Sequence, residues 1–168
     1  MKNLKLILPF AVVALAACSQ RVNTIKEQQN PDTTVTAVNT DSLTAVMKIK
    51  STINSGEPVL FGFDVQNPTT KPLRFLKWYT PFEAPMSKFL DITNAQGEEV
   101  AYKGPMAKRV MPPPADSYLE IKAGGKSFAE IDLLKVYDLK PGQQYTISYN
   151  SASVSGLKVS QQVSFRYE

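Results

Sequence analysis

The sequence predicts an all-β fold, an antiparallel β-sandwich of seven to nine short strands with one short helical turn. Short runs of alternating apolar and polar residues recur along the chain, and turns rich in Gly, Pro, Asn and Ser separate them. Only one stretch has helical spacing. With 43% apolar residues in a chain of 168, there is enough apolar side chain to fill one core. All the strands therefore belong to one domain.

The clearest strand is 59–66, in which every second residue is a large apolar one and the residues between point the other way. Its inward face consists of Val59, Phe61, Phe63 and Val65. This period of two predicts a strand with one face in the core. The expected strands, in order, are 43–53, 59–66, 73–77, 89–93, 100–102, 118–122, 127–131, 145–149 and 157–167.

The segments between these strands carry turn and loop signals. A polar turn at 94–97 predicts a hairpin that pairs 89–93 with 100–102. Residues 111–114 are Met-Pro-Pro-Pro, and because prolines cannot donate ladder hydrogen bonds, we expect a surface loop or a sheet edge there. The one helical turn is expected within 133–139, and 151–156 is expected to be a loop.

The amino-terminal segment indicates export and a lipid anchor. Two lysines precede an apolar run at 6–17, which is shorter than the ~20 residues that span a bilayer as a helix. The run ends in Leu15-Ala16-Ala17-Cys18, which resembles a bacterial lipobox. That resemblance implies a signal peptide at 1–17 and acyl chains such as palmitate on Cys18. The alternative is an ordinary signal peptide followed by an incidental cysteine.

Residues 18–41 are predicted to be a lipidated flexible tether, and 42–168 the folded domain. The segment after Cys18 is rich in Gln, Asn, Thr and Asp and has no aromatic residue, so it cannot bury enough surface to offset its ordering entropy. Such a coil would span on the order of 25 Å. Ser19 follows the cysteine where enteric lipoproteins retained at the inner membrane have aspartate. By that resemblance we expect the periplasmic face of a bacterial outer membrane.

The residue inventory excludes several kinds of chemistry. The chain has no histidine and a single cysteine, so an HExxH zinc site, a disulfide and the usual serine or cysteine nucleophile schemes all lack a required group. No glycine-rich phosphate-binding motif is present. Removal of Lys2 and Lys5 lowers the formal charge from +4 to +2, too little to predict nucleic-acid binding. We expect a non-enzymatic protein without metal or cofactor.

The stretch 73–109 contains the only tryptophan and a dense group of aromatic residues. Together with later segments it resembles the non-catalytic amino-terminal domain of deuterolysin-like and peptidyl-lysine metalloendopeptidases. That resemblance implies an immunoglobulin-like sandwich which, in those enzymes, precedes a zinc protease. The segments that carry the resemblance are 75–82, 89–92, 102–105, 108–109, 118–124, 136–139, 141–142 and Tyr145.

Five residues of this stretch are candidates for partner binding. Three large aromatics within five residues are hard to bury together, so we expect Trp78 in the core and Tyr79 and Phe82 near the surface. The alternative is that all three are core residues. Lys108 and Arg109 form a second candidate surface with the neighbouring residue Met106, the alternative there being plain solvated charge.

The favoured function is a membrane-anchored protein-binding lipoprotein that acts as a prodomain-like chaperone or inhibitor of a secreted metalloprotease. The alternative is a structural or assembly lipoprotein of the cell envelope without a protease partner. A weaker resemblance links Asn67-Pro68-Thr69-Thr70 to a loop of chagasin-like cysteine protease inhibitors. The chain departs from that pattern at Lys71, where those inhibitors have glycine.

Overall fold

The computed structural model describes residues 42–159 and 161–168, and the predicted signal peptide, Cys18 and the tether at 18–41 lie outside them. The described residues form nine strands, two 3₁₀ turns and one short helix, α1 (Ala152–Ser155). No helix among them is long and apolar enough to cross a membrane. The strands are β1 (Thr44–Ile49), β2 (Thr52–Ile53), β3 (Leu60–Gln66), β4 (Leu73–Leu76), β5 (Leu90–Asn94), β6 (Tyr118–Ile121), β7 (Lys126–Asp132), β8 (Gln143–Tyr149) and β9 (Val163–Tyr167).

The strands form two main sheets and a separate ribbon. One sheet has the order β1-β3-β7 and the other the order β2-β9-β8-β5, while β4 and β6 pair only with each other. All pairings are antiparallel except that of β2 with β9. This arrangement confirms the predicted all-β sandwich with seven to nine strands.

The core lies on the inward face of β3 and the facing strands of the other sheet. Four residues of the alternating run have no exposed surface at all: Val59, Phe61, Phe63 and Val65. Leu90, Ile92 and Ile147 are equally buried on the opposing sheet. The period-two prediction for this strand is therefore confirmed, and burial of apolar surface is the main force that joins the sheets.

The predicted hairpin after β5 is shorter than expected. β5 pairs along its whole length with β8, and on its other side the only strand bridge among the described residues joins Thr93 to Glu99. The side-chain oxygen of Asn94 accepts the backbone N–H groups of Gln96 and Glu98, which closes the predicted turn. After Val100 the chain leaves β5, because Tyr102 pairs with Tyr137 instead.

Three further boundaries differ from the prediction. Residues 43–53 form two strands, because β2 leaves the first sheet and pairs with β9. The expected loop at 151–156 contains α1, which ends at Gly156 with a left-handed φ of 78°. The last strand begins at Val163 rather than at 157, since Lys158 forms an isolated bridge with Thr44 of β1. The 3₁₀ turn Leu133–Lys135 falls where the helical turn is predicted.

Candidate functional site

The aromatic stretch and the proline-rich loop meet in a groove at one corner of the domain. The groove encloses about 490 Å³ and is bounded by the β4–β6 ribbon, the loop after β4, residues 109–113 and α1. We call it the Trp78 groove. Its lining residues are Leu76, Trp78, Tyr79, Arg109, Met111, Pro113, Tyr118, Ser153 and Val154.

The loop after β4 is fixed by its own hydrogen bonds. Thr80 is fully buried, its hydroxyl donates to the Lys77 carbonyl over 2.6 Å, and it accepts the N–H of Phe82 over 3.1 Å. The N–H of Tyr79 donates to the Glu83 carboxylate over 2.9 Å. Tyr79 has a φ of 59°, a left-handed conformation that costs energy for a bulky residue and persists only where the surroundings hold it. The loop therefore presents Tyr79 in one defined position.

Arg109 connects the loop after β4 to the proline-rich loop. Its Nη2 lies 2.5 Å from the carboxylate of Glu83 and 2.9 Å from the hydroxyl of Ser87. Its guanidinium lies over the ring of Trp78 at 4.8 Å and that of Tyr79 at 5.5 Å. The Arg109 and Glu83 side chains are only 16% and 15% exposed, so the pair is screened by water much less than a surface ion pair.

The structure separates the two members of the predicted basic pair. Lys108 is exposed, and no carboxylate of the described residues lies within ion-pair distance of it. Arg109 points inward and its charge is neutralised by Glu83. The alternative of plain solvated charge does not describe Arg109, because its side chain is turned inward toward aromatic rings and a carboxylate 26 residues earlier in the chain.

The three crowded aromatics take three different environments. Trp78 is buried, with 9% of its surface exposed, but it lies beneath Arg109 and outside the main core cluster. Tyr79 is half-buried and lines the groove. Phe82 packs edge-to-face on the core residue Phe75, with the ring centres 5.2 Å apart. Of the candidate residues, the structure brings Tyr79 and Arg109 together in the groove and turns Phe82 toward the core.

The proline-rich loop presents apolar side chains to solvent. We call residues 105–113 the apolar arm. Met106, Val110 and Met111 on it are 69%, 73% and 73% exposed. The arm is attached by the Arg109 contacts and by the N–H of Ala107, which donates to the Met86 carbonyl over 2.7 Å. Sequence reasoning found Met106 but missed Val110 and Met111, although apolar residues beside prolines that cannot join a sheet were a usable signal.

A half-buried tyrosine supports the loop that carries Tyr79. The Tyr149 hydroxyl donates to the Tyr79 carbonyl over 3.1 Å and lies 2.7 Å from the hydroxyl of Ser155 in α1. Burial raises the pKa of Tyr149 to about 12, and the hydrogen bond with Ser155 opposes that rise. At neutral pH this tyrosine is therefore an uncharged structural link between β8, the loop after β4 and α1.

The lining of the groove has the composition of a binding surface. The groove is lined mainly by aromatic and aliphatic side chains, and Glu83, the carboxylate beside it, is already paired with Arg109. Within residues 42–159 and 161–168, no three His, Cys, Asp or Glu side chains are placed to hold a metal ion. Apolar grooves that contain Trp, Tyr and Arg are typical of protein interfaces.

Comparison with known proteins identifies the domain. A family model described as the immunoglobulin-like domain matches residues 46–151, which is more than half of the chain. The chain belongs to the immunoglobulin-like domain family. The matched range of this immunoglobulin-like domain begins within β1 and extends just past the end of β8. It includes the apolar arm and the lining residues of the Trp78 groove other than Ser153 and Val154 of α1.

The chain also resembles part of an extracellular protease of Aeromonas hydrophila. The two are 31% identical over 97 residues, which covers 56% of this chain and 27% of that protein. The chain thus spans well under half of the length of this relative. The match confirms a likeness to a protease-associated domain, while the narrower resemblance to deuterolysin-like and peptidyl-lysine enzymes stays a prediction.

Proposed function

We propose that this chain is a non-enzymatic lipoprotein whose immunoglobulin-like domain binds a secreted metalloprotease and chaperones or restrains it. Cys18 carries the lipid in this proposal, and 18–41 links it to the domain at the periplasmic face of the outer membrane. The apolar arm and the Trp78 groove form the contact surface. An extracellular protease is the proposed partner because the chain resembles part of such a protease.

The observation that carries the proposal is the exposure of three large apolar side chains on an arm that is held in place. Exposed apolar residues that cluster on one surface mark binding sites in soluble domains. Met106, Val110 and Met111 lie within six residues of the chain and are all exposed, and Arg109 ties their arm to Glu83 and Ser87. Because the arm is ordered before binding, the partner does not have to supply the entropy of ordering it.

The absence of histidine from the sequence supports a binding role rather than a proteolytic one. A zinc protease of the HExxH type needs two histidines to hold its metal, and this chain has none. Its relative is a protease more than three times as long as the aligned segment, so that protein has ample chain for a separate catalytic domain. We infer that this chain corresponds to a non-catalytic part.

The test is a binding titration between the full chain and a secreted HExxH protease encoded beside it. The double variant Met106→Ser with Met111→Ser should weaken binding by at least about tenfold, because it removes two apolar anchors. The control is Leu60→Ser, which changes a 41% exposed apolar residue on the outward face of β3, away from the arm in sequence and in a different element. Equal affinities for all three proteins would exclude the arm as the contact surface. Failure of the unaltered chain to bind would favour the alternative function, a structural or assembly lipoprotein.

A second arm of the test concerns the membrane. Cys18→Ser should move the protein from the membrane fraction to the soluble fraction, because the several acyl chains expected on this residue supply about 0.8 kcal/mol per buried methylene. Retention on membranes through salt and carbonate washes would show that Cys18 is not the anchor. Protease binding in solution should be the same for this variant.

A further inference from the structure

We propose that the Trp78 groove accepts an extended peptide segment in which an apolar side chain stands next to a carboxylate, with Arg74 as the residue that selects the carboxylate. The inference rests on the proposed function, because the segment belongs to the protein partner. It specifies the chemistry of that segment, which neither the fold family nor the related protease defines.

The groove is mainly apolar and suits one large side chain. Leu76 and Tyr118, which lie opposite each other on the β4–β6 ribbon, line it together with Trp78 and Met111. A volume of about 490 Å³ exceeds that of any single side chain, so there is room for one apolar side chain together with its flanking backbone.

A cation without an ion-pair partner among the described residues lies against Tyr118, one of the lining residues of the groove. Arg74 is on the same face of the ribbon as Leu76, two residues along β4, and its guanidinium lies 4.9 Å from the centre of the Tyr118 ring. No carboxylate of residues 42–159 and 161–168 lies within 4.0 Å of it. Arg74 is exposed, and a stacked guanidinium keeps its donors in a plane that matches a carboxylate.

The two arginines beside the groove therefore have different roles. Arg109 is neutralised by Glu83 and holds the arm, so it attracts a further anion only weakly. Arg74 has Glu120 directly across the ribbon without an ion pair between them. Glu120 should repel an incoming carboxylate while Arg74 attracts it. Removal of these two charges is expected to change affinity in opposite directions.

The only tryptophan of the chain lies in this groove, so its fluorescence reports binding there without a label. The probes are three blocked pentapeptides: acetyl-Gly-Ser-Leu-Asp-Gly-amide, the same peptide with Asn for Asp, and the same peptide with Gly for Leu. Titrated against the full chain at low ionic strength, the first should shift the Trp78 emission and bind at least about fivefold more tightly than the others.

Substitutions test the assignment of the carboxylate site. Arg74→Gln should lower the affinity for the Asp peptide to that for the Asn peptide, whereas Arg74→Lys should retain part of the preference because it keeps the charge without the planar fork. Glu120→Gln should strengthen binding of the Asp peptide about twofold. The matched control Arg166→Gln, an exposed arginine on β9, should change nothing. Equal affinities for the Asp and Asn peptides, or a preference that survives Arg74→Gln, would overturn the inference.

The two proposals fail separately. If the protease requires Met106 and Met111 but the Asp peptide shows no preference, the arm binds the partner and the carboxylate inference is wrong. If the peptide preference depends on Arg74 but no secreted protease binds, the groove recognises an acidic segment of another protein and the protease partner is wrong.

Discussion

The inward face of β3 is fully buried and the region around Arg109 is partly buried, and the two are stabilised in different ways. The β3 face consists of apolar side chains without exposed surface, and its burial energy is spread over many weak, non-directional contacts. At the corner, one guanidinium meets a carboxylate, a hydroxyl and two aromatic rings. Loss of one β3 side chain costs energy in proportion to its size, whereas loss of Arg109 affects several partners at once.

Because of this difference, the two regions should respond differently to substitution. A sandwich core accepts other apolar residues of similar volume, because neighbouring side chains can shift to fill the space. A part-buried ion pair has no such freedom, because a lone carboxylate left in place pays its desolvation cost without a partner. The binding surface that we propose is held by the second kind of contact.

The largest expected effect is on the core. Phe63→Ala should lower the free energy of unfolding by about 3–5 kcal/mol, because it removes a fully buried ring that packs 5.2 Å from Tyr149 and 6.2 Å from Phe61. The control Leu60→Ala, on the outward face of the same strand, should cost at most about 1 kcal/mol. The measurement is unfolding in guanidinium chloride. Similar losses for both variants would mean that β3 does not divide a core face from a solvent face.

The next effect is at the corner. Arg109→Ala should lower the free energy of unfolding by about 1.5–3 kcal/mol, because it leaves Glu83 without its charged partner and uncovers the Trp78 ring. The free energy of unfolding of Arg109→Lys should lie between those of Arg109→Ala and the natural protein, since lysine keeps the charge but cannot lie flat on the ring. Lys108→Ala should have no measurable effect.

A double-variant cycle with Glu83→Gln separates the ion pair from the stacking. If the ion pair dominates, the effects of Arg109→Ala and Glu83→Gln should be strongly non-additive. Additive effects would show that Arg109 acts through Trp78 and Tyr79 alone. A loss from Lys108→Ala equal to that from Arg109→Ala would contradict the separation of the two side chains.

The sequence predicts the β3 region well because strand periodicity is a local property. Alternate residues of a strand point to the same face, so the order of Val59, Phe61, Phe63 and Val65 alone indicates which side is buried. The strand pairing is less local. The pairing of β5 with β8 joins segments more than fifty residues apart, and no feature of the turn at 94–97 indicates it.

The corner could not be predicted in this way, because its contacts depend on residues that are distant in sequence. Arg109 and Glu83 belong to different loops. From the sequence alone, a basic pair such as Lys108 and Arg109 is expected to be solvated, because the carboxylate that will contact it is not known. The turn at Asn67 is a similar case. Its amide donates to the carbonyls of Lys71, Ile121 and Lys122, and the residue is almost fully buried. Its resemblance to an inhibitor loop is better explained by this structural role.

Tyr149 joins the two regions and gives the smallest effect that we predict. Its ring packs against Phe63, while its hydroxyl donates to the Tyr79 carbonyl in the loop after β4. Burial raises its pKa to about 12 in the folded state, whereas an unfolded tyrosine has a pKa of about 10. Its contribution to stability is therefore fully present below pH 10 and declines as the pH rises toward 12, because the unfolded chain releases the proton first.

Between pH 8 and pH 11 this tyrosine alone should cost the natural protein about 1.4 kcal/mol of unfolding free energy, a loss that Tyr149→Phe should not show. Other groups also titrate in this range, so the quantity to measure is the difference between the two proteins in guanidinium chloride at each pH. Tyr149→Phe should be less stable at pH 8, because it loses the hydrogen bonds to Tyr79 and Ser155, and the gap should narrow or reverse by pH 11. Leu60→Ala keeps Tyr149, so the difference between its free energy of unfolding and that of the natural protein should be the same at every pH. If the gap for Tyr149→Phe also stays constant, the hydroxyl is open to water, and the core does not support the groove through this residue.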